Sequence, residues 1–523
     1  MAGTGPATEE ESAVLERVAL ASEAVAAEPG RTAKIVLLAD CLRELGPREA
    51  PAAVALLSGE SRRMRVGVGY AALRELPPPA AAATLGTAET EALLGELAAV
   101  HGRGAQAARR TLLDTLFGRA TAPEQRLLRG VLVGELRQGA LDGVMAEAVA
   151  RAAGVPAPAV RRALMFRGSA RAVAEAALTG GAAALAAFGL EVGRPVRPML
   201  ASSAPGVAEA LAKVSPAALE WKLDGIRVQV HRSGGEVGVF TRSLDDITAR
   251  VPELVEAALA LPVRSAVLDG EAIALGPDGR PRPFQVTAAR TASRQDPERL
   301  RAEVPLHPYF FDLLHLDGTD LVDEPGEHRW AALAGLVDEP RRVPRLVTAD
   351  PEQAAGFLAD ALGHGHEGVV VKDLAARYEA GRRGAGWIKV KPHHTLDLVV
   401  LAAEWGTGRR RGWLSNLHLG ARSGGEAGLP EWVMLGKTFK GLTDELLAWQ
   451  TRELLARETG RGDYDVQVRP ELVVEVAFDG LQRSPRYPAG LALRFARVVR
   501  YRPDKTAAEA DTVATVRALA ATH

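Results

Sequence analysis

The chain has 523 residues, 47% hydrophobic and 25% charged, a globular balance that excludes wholesale disorder. At roughly 100–200 residues per domain it has room for about three or four domains. Its one cysteine, Cys41, excludes an intramolecular disulfide framework and a four-cysteine zinc module, and 64 Lys and Arg against 65 Asp and Glu exclude a chain that is basic all over, though not one basic surface.

Met1 to Ser12 carry Glu9, Glu10 and Glu11 without a basic segment leading into an apolar one, so no secretory signal is expected. No apolar run approaches the ~20 residues of a membrane helix. The expectation is a soluble, cytoplasmic protein with no membrane contact. Up to about residue 185 the chain is rich in Ala, Leu and Arg. Leu128, Leu132 and Leu136, then Leu141, Val144, Met145 and Val149, recur at helical steps around Gly139. Pro77-Pro78-Pro79 and Gly154 to Pro158 read as loops. Residues 101–180 hold 12 Arg and 6 acidic residues, whereas residues 1–100 are net negative. An all-helical domain with one basic stretch is expected, with solvated helix faces as the bland alternative for that stretch. Gly193 to Pro198 cannot form regular helix and reads as a linker.

After the linker the period changes. Val228 and Val230 alternate with Gln229 and His231, Gly234-Gly235 turns the chain, and Val237 and Val239 resume the alternation, which is a hairpin signal. Strands are expected at Val267 to Leu275, Tyr309 to Leu314, Gly368 to Lys372 and Trp387 to Lys391, with helices at Leu254 to Leu261 and Pro351 to Leu362. From Asp397 onward short strands dominate (398–402, 414–419, 433–436, 472–478, 494–500), interrupted by one helix over 444–457. A small barrel of about 125 residues fits that pattern.

The sharpest element is Glu220-Trp221-Lys222-Leu223-Asp224-Gly225-Ile226-Arg227, just before the hairpin. A lysine between apolar residues and ahead of Asp-Gly is either a turn with an exposed amine or a nucleophile whose glycine lets backbone approach a phosphate. Downstream follow, in order, Thr241-Arg242-Ser243, Leu268-Asp269-Gly270-Glu271, Tyr309-Phe310-Phe311-Asp312, His366-Glu367-Gly368 running into Lys372, Trp387-Ile388-Lys389-Val390-Lys391, and Arg502-Pro503-Asp504-Lys505. Alternation puts Trp387, Lys389 and Lys391 on one strand face.

This ordered set resembles the six-motif signature of the covalent nucleotidyltransferases: ATP-dependent DNA ligases and their capping-enzyme and RNA-ligase relatives. The likeness extends to Arg197-Pro198-Met199-Leu200-Ala201 and to the tract from Val474 through Tyr487. The helical segment Leu127 to Val149, with Gly134-Glu135-Leu136-Arg137, is similar to the DNA-binding domain of archaeal and eukaryotic-type replicative DNA ligases. The resemblance implies a multidomain chain. It would comprise an all-α DNA-binding domain (1–190), an α+β, ATP-grasp-like adenylation domain (191–395) and a C-terminal β-barrel OB-fold (396–523).

It further implies that Lys222 attacks the α-phosphate of ATP and becomes a lysyl-AMP. A free lysine has a pKa near 10.4, so only about one in a thousand is neutral near pH 7.5. The site must depress that value, with Lys389, Lys391 and a metal ion as the expected agents. Glu271 and Glu367 are implied as Mg2+ ligands, Glu271 also at the ribose. Phe311 would stack on adenine and Glu220 would lie near its exocyclic amine. Arg227, Arg242 and Arg383 match AMP- or phosphate-contacting positions, with an intramolecular ion pair as the alternative for Arg227 and Arg242; Arg382 adjoins Arg383. Arg502, Asp504 and Lys505 would serve the pyrophosphate. Asp224 is either functional or the holder of its turn. Two departures stand out: Leu223 where many relatives have tyrosine, and Pro503 in the last motif.

The implied activity is sealing of nicked double-stranded DNA by a monomer. The sequence specifies no clamp or repair partner. A capping-type guanylyltransferase or RNA ligase is the enzymatic rival, and a DNA-binding clamp with a disused nucleotide site is the non-enzymatic one. An NAD-dependent ligase is disfavoured by the single cysteine. Gly436-Lys437-Thr438 lacks the context of a phosphate loop, His364 and His366 lack zinc-protease spacing, and His393-His394 reads as a solvent-exposed pair.

Overall fold

The computed structural model describes residues 14–58, 60, 68–102, 104–134, 136, 141–293, 295–380, 383–392, 394–407, 410–438 and 442–521. The expectations that touch Glu9 to Glu11, Glu135, Arg137, Gly139, Arg382 and His393 lie outside these residues. The chain forms two compact units, Met1–Val390 and Lys391–His523.

The first unit begins with helices Val14–Ala27, Arg31–Leu57, Thr87–Ala99, Ala105–Arg119, Ala122–Val133, Leu141–Ala153, Ala157–Arg167 and Ala170–Ala186. The periodic residues Leu128, Leu132, Leu136, Val144, Met145 and Val149 are buried in one core with Leu15, Leu42, Leu56 and Phe117. Helix Ala122–Val133 starts where the Thr121 N–H donates to Glu124 Oε2 (2.7 Å) and carries Pro123 in its first turn. Burial pushes the Cys41 thiol up to about 11, which keeps it protonated and unreactive. Among the described residues no helix is long and apolar enough to cross a membrane.

The 193–198 stretch is not helical, but it is pinned. Gly193 N–H donates to His231 Nδ1 (2.9 Å), and Val196 N–H donates to Gln229 Oε1 (2.8 Å). Burial holds His231 neutral by pushing its pKa down to about 3, so Nδ1 can accept while Nε2–H faces Gln229 Oε1 at 2.8 Å. Val196 joins Met165, Phe166, Met199, Val267, Leu314 and Trp387 in one apolar cluster, so the helices and the following sheets share a core.

Two five-stranded sheets follow. One has the order β1-β10-β9-β2-β8, where β1 is Leu200–Ser203, β2 Ala217–Trp221, β8 Arg345–Thr348, β9 Val369–Asp373 and β10 Arg383–Val390. The other has the order β4-β3-β5-β6-β7, where β3 is Ile226–Ser233, β4 Glu236–Thr241, β5 Ser265–Ala274, β6 Leu306–Leu316 and β7 Thr319–Asp320. The hairpin read from the valine alternation is β3–β4, with Gly234 at φ 58 in its turn. The expected helices are Pro252–Leu259 and Pro351–Gly363; Phe284–Ala292, Pro297–Glu303 and Gly326–Leu336 had no counterpart in the sequence reading. The strand expected to reach Lys391 stops at Val390, and Lys391 begins the second unit.

That unit is built on β11 (His394–Trp405), which pairs with β12 (Leu414–Arg422), β15 (Asp465–Val468) and β16 (Val473–Phe478). The seven-stranded sheet also contains β13 (Trp432–Lys437), β14 (Glu458–Arg461) and β19 (Arg497–Tyr501). A separate ribbon joins β17 (Gly480–Arg483) to β18 (Leu491–Arg494). Helix Asp444–Leu455, capped by Thr443, buries Leu447 and Leu454 among the sheet's apolar residues. The single strand expected over 494–500 is divided between β18 and β19, because Phe495 takes φ 55 and breaks the extended run.

Candidate active site

The antiparallel β2–β9 ladder continues beyond the strands' ends. Lys222 N–H donates to Gly368 O (2.8 Å) and Glu367 N–H donates to Lys222 O (3.0 Å). Lys222 thus shares one backbone bond with each of Gly368 and Glu367, and the Lys222 and Glu367 side chains form an ion pair. Leu223, next in sequence, is buried with Ile273 and Val343, so the residue that replaces tyrosine anchors the loop from within. At Gly225 a Cβ would overlap the carbonyl oxygen of Ala272 and the side chain of Ile273. Close packing on β5 by itself requires the glycine.

β3 starts immediately after that contact. Arg227 lies opposite Glu271 on β5, and Thr241 lies opposite Val228. Glu271 and the turn bearing the exposed Arg242 therefore sit at the same end of the second sheet as the Lys222 loop.

The electrostatics at Lys222 differ from expectation. Burial alone lowers its pKa, but Glu367, Glu271 and Asp224 outweigh burial and raise it. The lysine is thus held as an ammonium by carboxylates, where the sequence reading expected neighbouring cations to depress it. Glu271 carries the complementary shift. Burial pushes its carboxyl up to about 7, against the opposing pull of Lys222 and Arg227.

Two oxygen-donor carboxylates acting on one lysine suit Mg2+, which binds through one or two carboxylates and keeps waters and phosphate oxygens. No cluster of three His, Cys, Asp or Glu fit to hold a metal occurs among the described residues. A carboxylate binds a cation only in its ionised form, so with Glu271 as a ligand Mg2+ affinity should rise with pH up to about 7 and level off above it. Titration calorimetry of Mg2+ into the protein, in buffers of different ionisation heat, should show proton release below that pH and none well above it. Glu271→Gln should abolish the release; an unchanged release would assign the proton to another group.

Glu220 is buried between two cations, Arg345 Nη1 at 3.0 Å and Lys372 Nζ at 2.5 Å. Lys372 Nζ also donates to Phe311 O (3.1 Å) and lies 4.8 Å from the Phe311 ring centroid and 4.3 Å from that of Trp387. Phe311 is the extra residue of a β-bulge, since Gly270 pairs with Phe310 but Asp269 pairs with Asp312. Bulges re-aim side chains in this way. The ring stands edge-on to Trp387 with centroids 5.9 Å apart.

Arg227 makes the intramolecular ion pair that stood as the alternative to an AMP contact. It forks onto Asp269 (Nε 3.0 Å, Nη2 2.6 Å) and donates to Met199 O (2.6 Å), while Tyr378 Oη donates to Asp269 Oδ2 (2.6 Å). Lys389 is half-buried on β10 between inward-facing Ile388 and Val390. Arg383 starts β10, but its side chain lies outside the description.

In the second unit Lys391 Nζ pairs with Asp479 (3.0 Å), which also takes Arg497 (3.3 Å). Arg502 pairs with Asp504 (2.7 Å) and with Asp397 (2.9 Å), and Lys505 pairs with Asp397 (2.6 Å). Sequence reasoning assigned no role to Lys372, Arg345, Asp269, Tyr378, Asp397 or Asp479; Lys372, Asp269 and Asp479 lay within quoted segments, and the others carried no local signal. Lys437 of the phosphate-loop look-alike pairs with Glu404, and His364 and His366 both pack on the Trp221 ring (4.9 Å each).

Residues 198–391 match the family model described as ATP dependent DNA ligase domain, and residues 410–505 match the ATP dependent DNA ligase C terminal region. A protein of Nocardioides sp. named Probable DNA ligase is 59% identical, covering 96% of this chain and 97% of its own length. The chain belongs to the ATP-dependent DNA ligases. A Probable DNA ligase of Anaeromyxobacter dehalogenans is 58% identical, covering 97% of this chain and 99% of its own. The solved structure Pmar-Lig_Pre matches with a TM-score of 0.61 at 18% identity, over 95% of this chain and 100% of that one, a likeness of fold.

Proposed function

We propose that Lys222 is the nucleophile of this ATP-dependent DNA ligase. The observation that carries the assignment is the lysine's place at a junction of the two sheets, paired to Glu367 and facing Glu271. Lys222 Nζ attacks the α-phosphorus of ATP; the bond to the β-phosphate oxygen breaks and pyrophosphate leaves. The 5′-phosphate of a nick then takes the AMP and releases the lysine, and the 3′-OH displaces AMP to seal the strand. Glu367 and Glu271 would hold Mg2+, which supplies positive charge to the transferring phosphoryl group and cancels the carboxylate field on the lysine. Lys222 gives up its proton to solvent before it attacks, because only the neutral amine is a nucleophile. Lys389, Lys391 and Arg242 are assigned to phosphate oxygens, and Arg502, Asp504 and Lys505 to the pyrophosphate. Arg227 and Glu220, which the resemblance places at the nucleotide, also brace the walls of the site through their ion pairs.

Incubation with α-labelled ATP and Mg2+, followed by a denaturing gel, should leave label on the protein, and the labelled protein should seal nicked duplex. Retention of label from GTP or NAD+ instead would overturn the ATP assignment. Phe311→Ala should weaken ATP use more than sealing of a pre-adenylated nick, by about 0.5–1.5 kcal/mol beyond lost area. An unchanged KM for ATP would assign the stacking to another aromatic.

We further infer that the seven-stranded sheet is an OB-fold barrel. Support comes from β11, whose register shifts between Val400 and Ala402 and again between Glu404 and Trp405 while it serves three partners. The helical region, residues 1–190, is proposed as the DNA clamp, followed by an adenylation domain at 191–395 and the barrel at 396–523. Its positive charge is less available than the count implied. Arg110, Arg119, Arg126, Arg161, Arg162, Arg167 and Arg171 each lie within 4.0 Å of a carboxylate. Exposed pairs of this kind are worth little, so phosphates can exchange into them. In the barrel, exposed Phe495 adjoins Arg494 and Arg497, an apolar wedge at the basic junction of β18 and β19 that suits a nucleic-acid groove.

A further inference from the structure

The Arg502–Lys505 turn has a partner that lies outside the six motifs. Lys505 N–H donates to Arg502 O (3.0 Å), closing a β-turn with Pro503 in its second position. There the fixed φ of proline fits and its missing N–H is not needed. The turn sets Arg502 and Lys505 side by side on one carboxylate, that of Asp397 on β11. Arg502 Nη1 lies 3.1 and 2.9 Å from its two oxygens, and Lys505 Nζ lies 2.6 Å from Oδ2. Asp397 is itself fixed: its side chain is 12% exposed, its N–H donates to Asp511 Oδ2 (2.8 Å), and its carbonyl accepts from Asp511 N–H (2.8 Å). The other edge of Arg502 grips Asp504, with Nε at 2.9 Å and Nη2 at 2.7 Å. These bonds use fewer than the eight N–H donors that an arginine and a lysine carry together.

We propose that Asp397 is a positioning residue for the first step of ligation. Its carboxylate holds Arg502 and Lys505 in a single geometry, and their remaining donors take anionic oxygens of the departing pyrophosphate. The proposal rests on the assignment of these two cations to pyrophosphate. Cations fixed in advance need no reorganisation as charge moves onto the leaving group, which is where such preorganisation contributes most.

The test uses the full chain carrying Asp397→Asn. Three quantities are measured: the rate of self-adenylation with α-labelled ATP, the pyrophosphate concentration that half-reverses the adenylated enzyme, and the sealing of a nick already bearing 5′-AMP. Adenylation should fall roughly 10- to 100-fold and the pyrophosphate requirement should rise, while sealing falls much less. Asp397→Glu, which keeps the charge, should recover part of the adenylation rate. Arg502→Ala in the same assays checks the underlying assignment. Wild-type adenylation by Arg502→Ala would overturn that assignment and the proposal with it. Defective Arg502→Ala beside wild-type Asp397→Asn would overturn the proposal alone. Equal loss in adenylation and sealing, unrelieved by Asp397→Glu, would mark Asp397 as merely structural. If Asp397→Asn does not fold, Asp397→Glu carries the test through the same ratio of adenylation to sealing, and an unchanged ratio overturns the proposal.

Discussion

Lys222→Ala should retain no AMP after incubation with ATP and Mg2+, because the side chain then offers no nitrogen to phosphorus. Lys222→Arg should fail as well, since a guanidinium does not deprotonate in practice. The more telling outcome concerns the later steps. Lys222 is a partner of Glu367, and burial with Glu271 raises the cost of leaving those carboxylates without their cation. Lys222→Ala should therefore seal a pre-adenylated nick at a higher Mg2+ concentration than Lys222→Met, which fills the space, only if void volume matters; if charge is what matters, both variants should shift together and toward tighter Mg2+ binding. We expect the second result, since removing a competing ammonium leaves two carboxylates for the metal. Wild-type labelling of Lys222→Ala would sink the nucleophile assignment outright.

Asp269→Asn should be the most destabilising single change near the site, by about 3–5 kcal/mol, the usual cost of breaking a buried ion pair from one side. The Asp269 carboxylate is 1% exposed and accepts both from the Arg227 fork and from Tyr378 Oη, so the amide leaves a buried guanidinium short of its counter-charge. The effect should also reach Glu271. Asp269 raises the Glu271 pKa and Arg227 lowers it, so loss of the aspartate charge should move that group below about 7. The pH at which Mg2+ binding levels off should shift downward in step. Thermal unfolding and the Mg2+ titration check the two halves, and an unchanged unfolding midpoint would show that Arg227 finds another acceptor.

Legibility in the sequence followed the range of the interaction. The β3–β4 hairpin was plain because valine alternation and a Gly-Gly turn are local. The lysine loop and the order of its companion segments were equally plain. The field at Lys222 was not. Strand alternation points to Lys389 and Lys391, whereas the extension of the β2–β9 ladder bonds Glu367 N–H to the Lys222 carbonyl, a matter of register between segments far apart in the chain. The ion pairing of Glu220 was hidden for the same reason, as its partner Arg345 is 125 residues away. The helix Pro297–Glu303 carried an Asp296 cap and a first-turn proline, but it is too short for periodicity to show. Phe495 breaks its strand through a positive φ on a non-glycine residue, which composition does not announce. The arginine count over 101–180 was correct and still misleading, because counting cannot see which charges are already paired.

The pinned stretch between helices and sheets bears on how this protein can be dissected. Arg197 N–H donates to Met165 O (2.9 Å), its Nη2 to Gly168 O (3.0 Å), and Arg162 clasps Asp323 through two 2.7 Å bonds. Phe166 belongs to the same cluster as Trp387, and Trp387 stands against both Phe311 and Tyr378. A catalytic fragment beginning at Arg197 would therefore be born with an uncovered apolar wall, and the wall is the one that backs the proposed adenine platform. Its poor behaviour in an ATP assay would report lost support for Phe311 and Tyr378 rather than any need for DNA contacts. Fragments that begin ahead of Ala157 keep the helix bearing Met165 and Phe166, and only from such a starting point does the comparison between self-adenylation and nick sealing separate the chemistry from the grip on duplex.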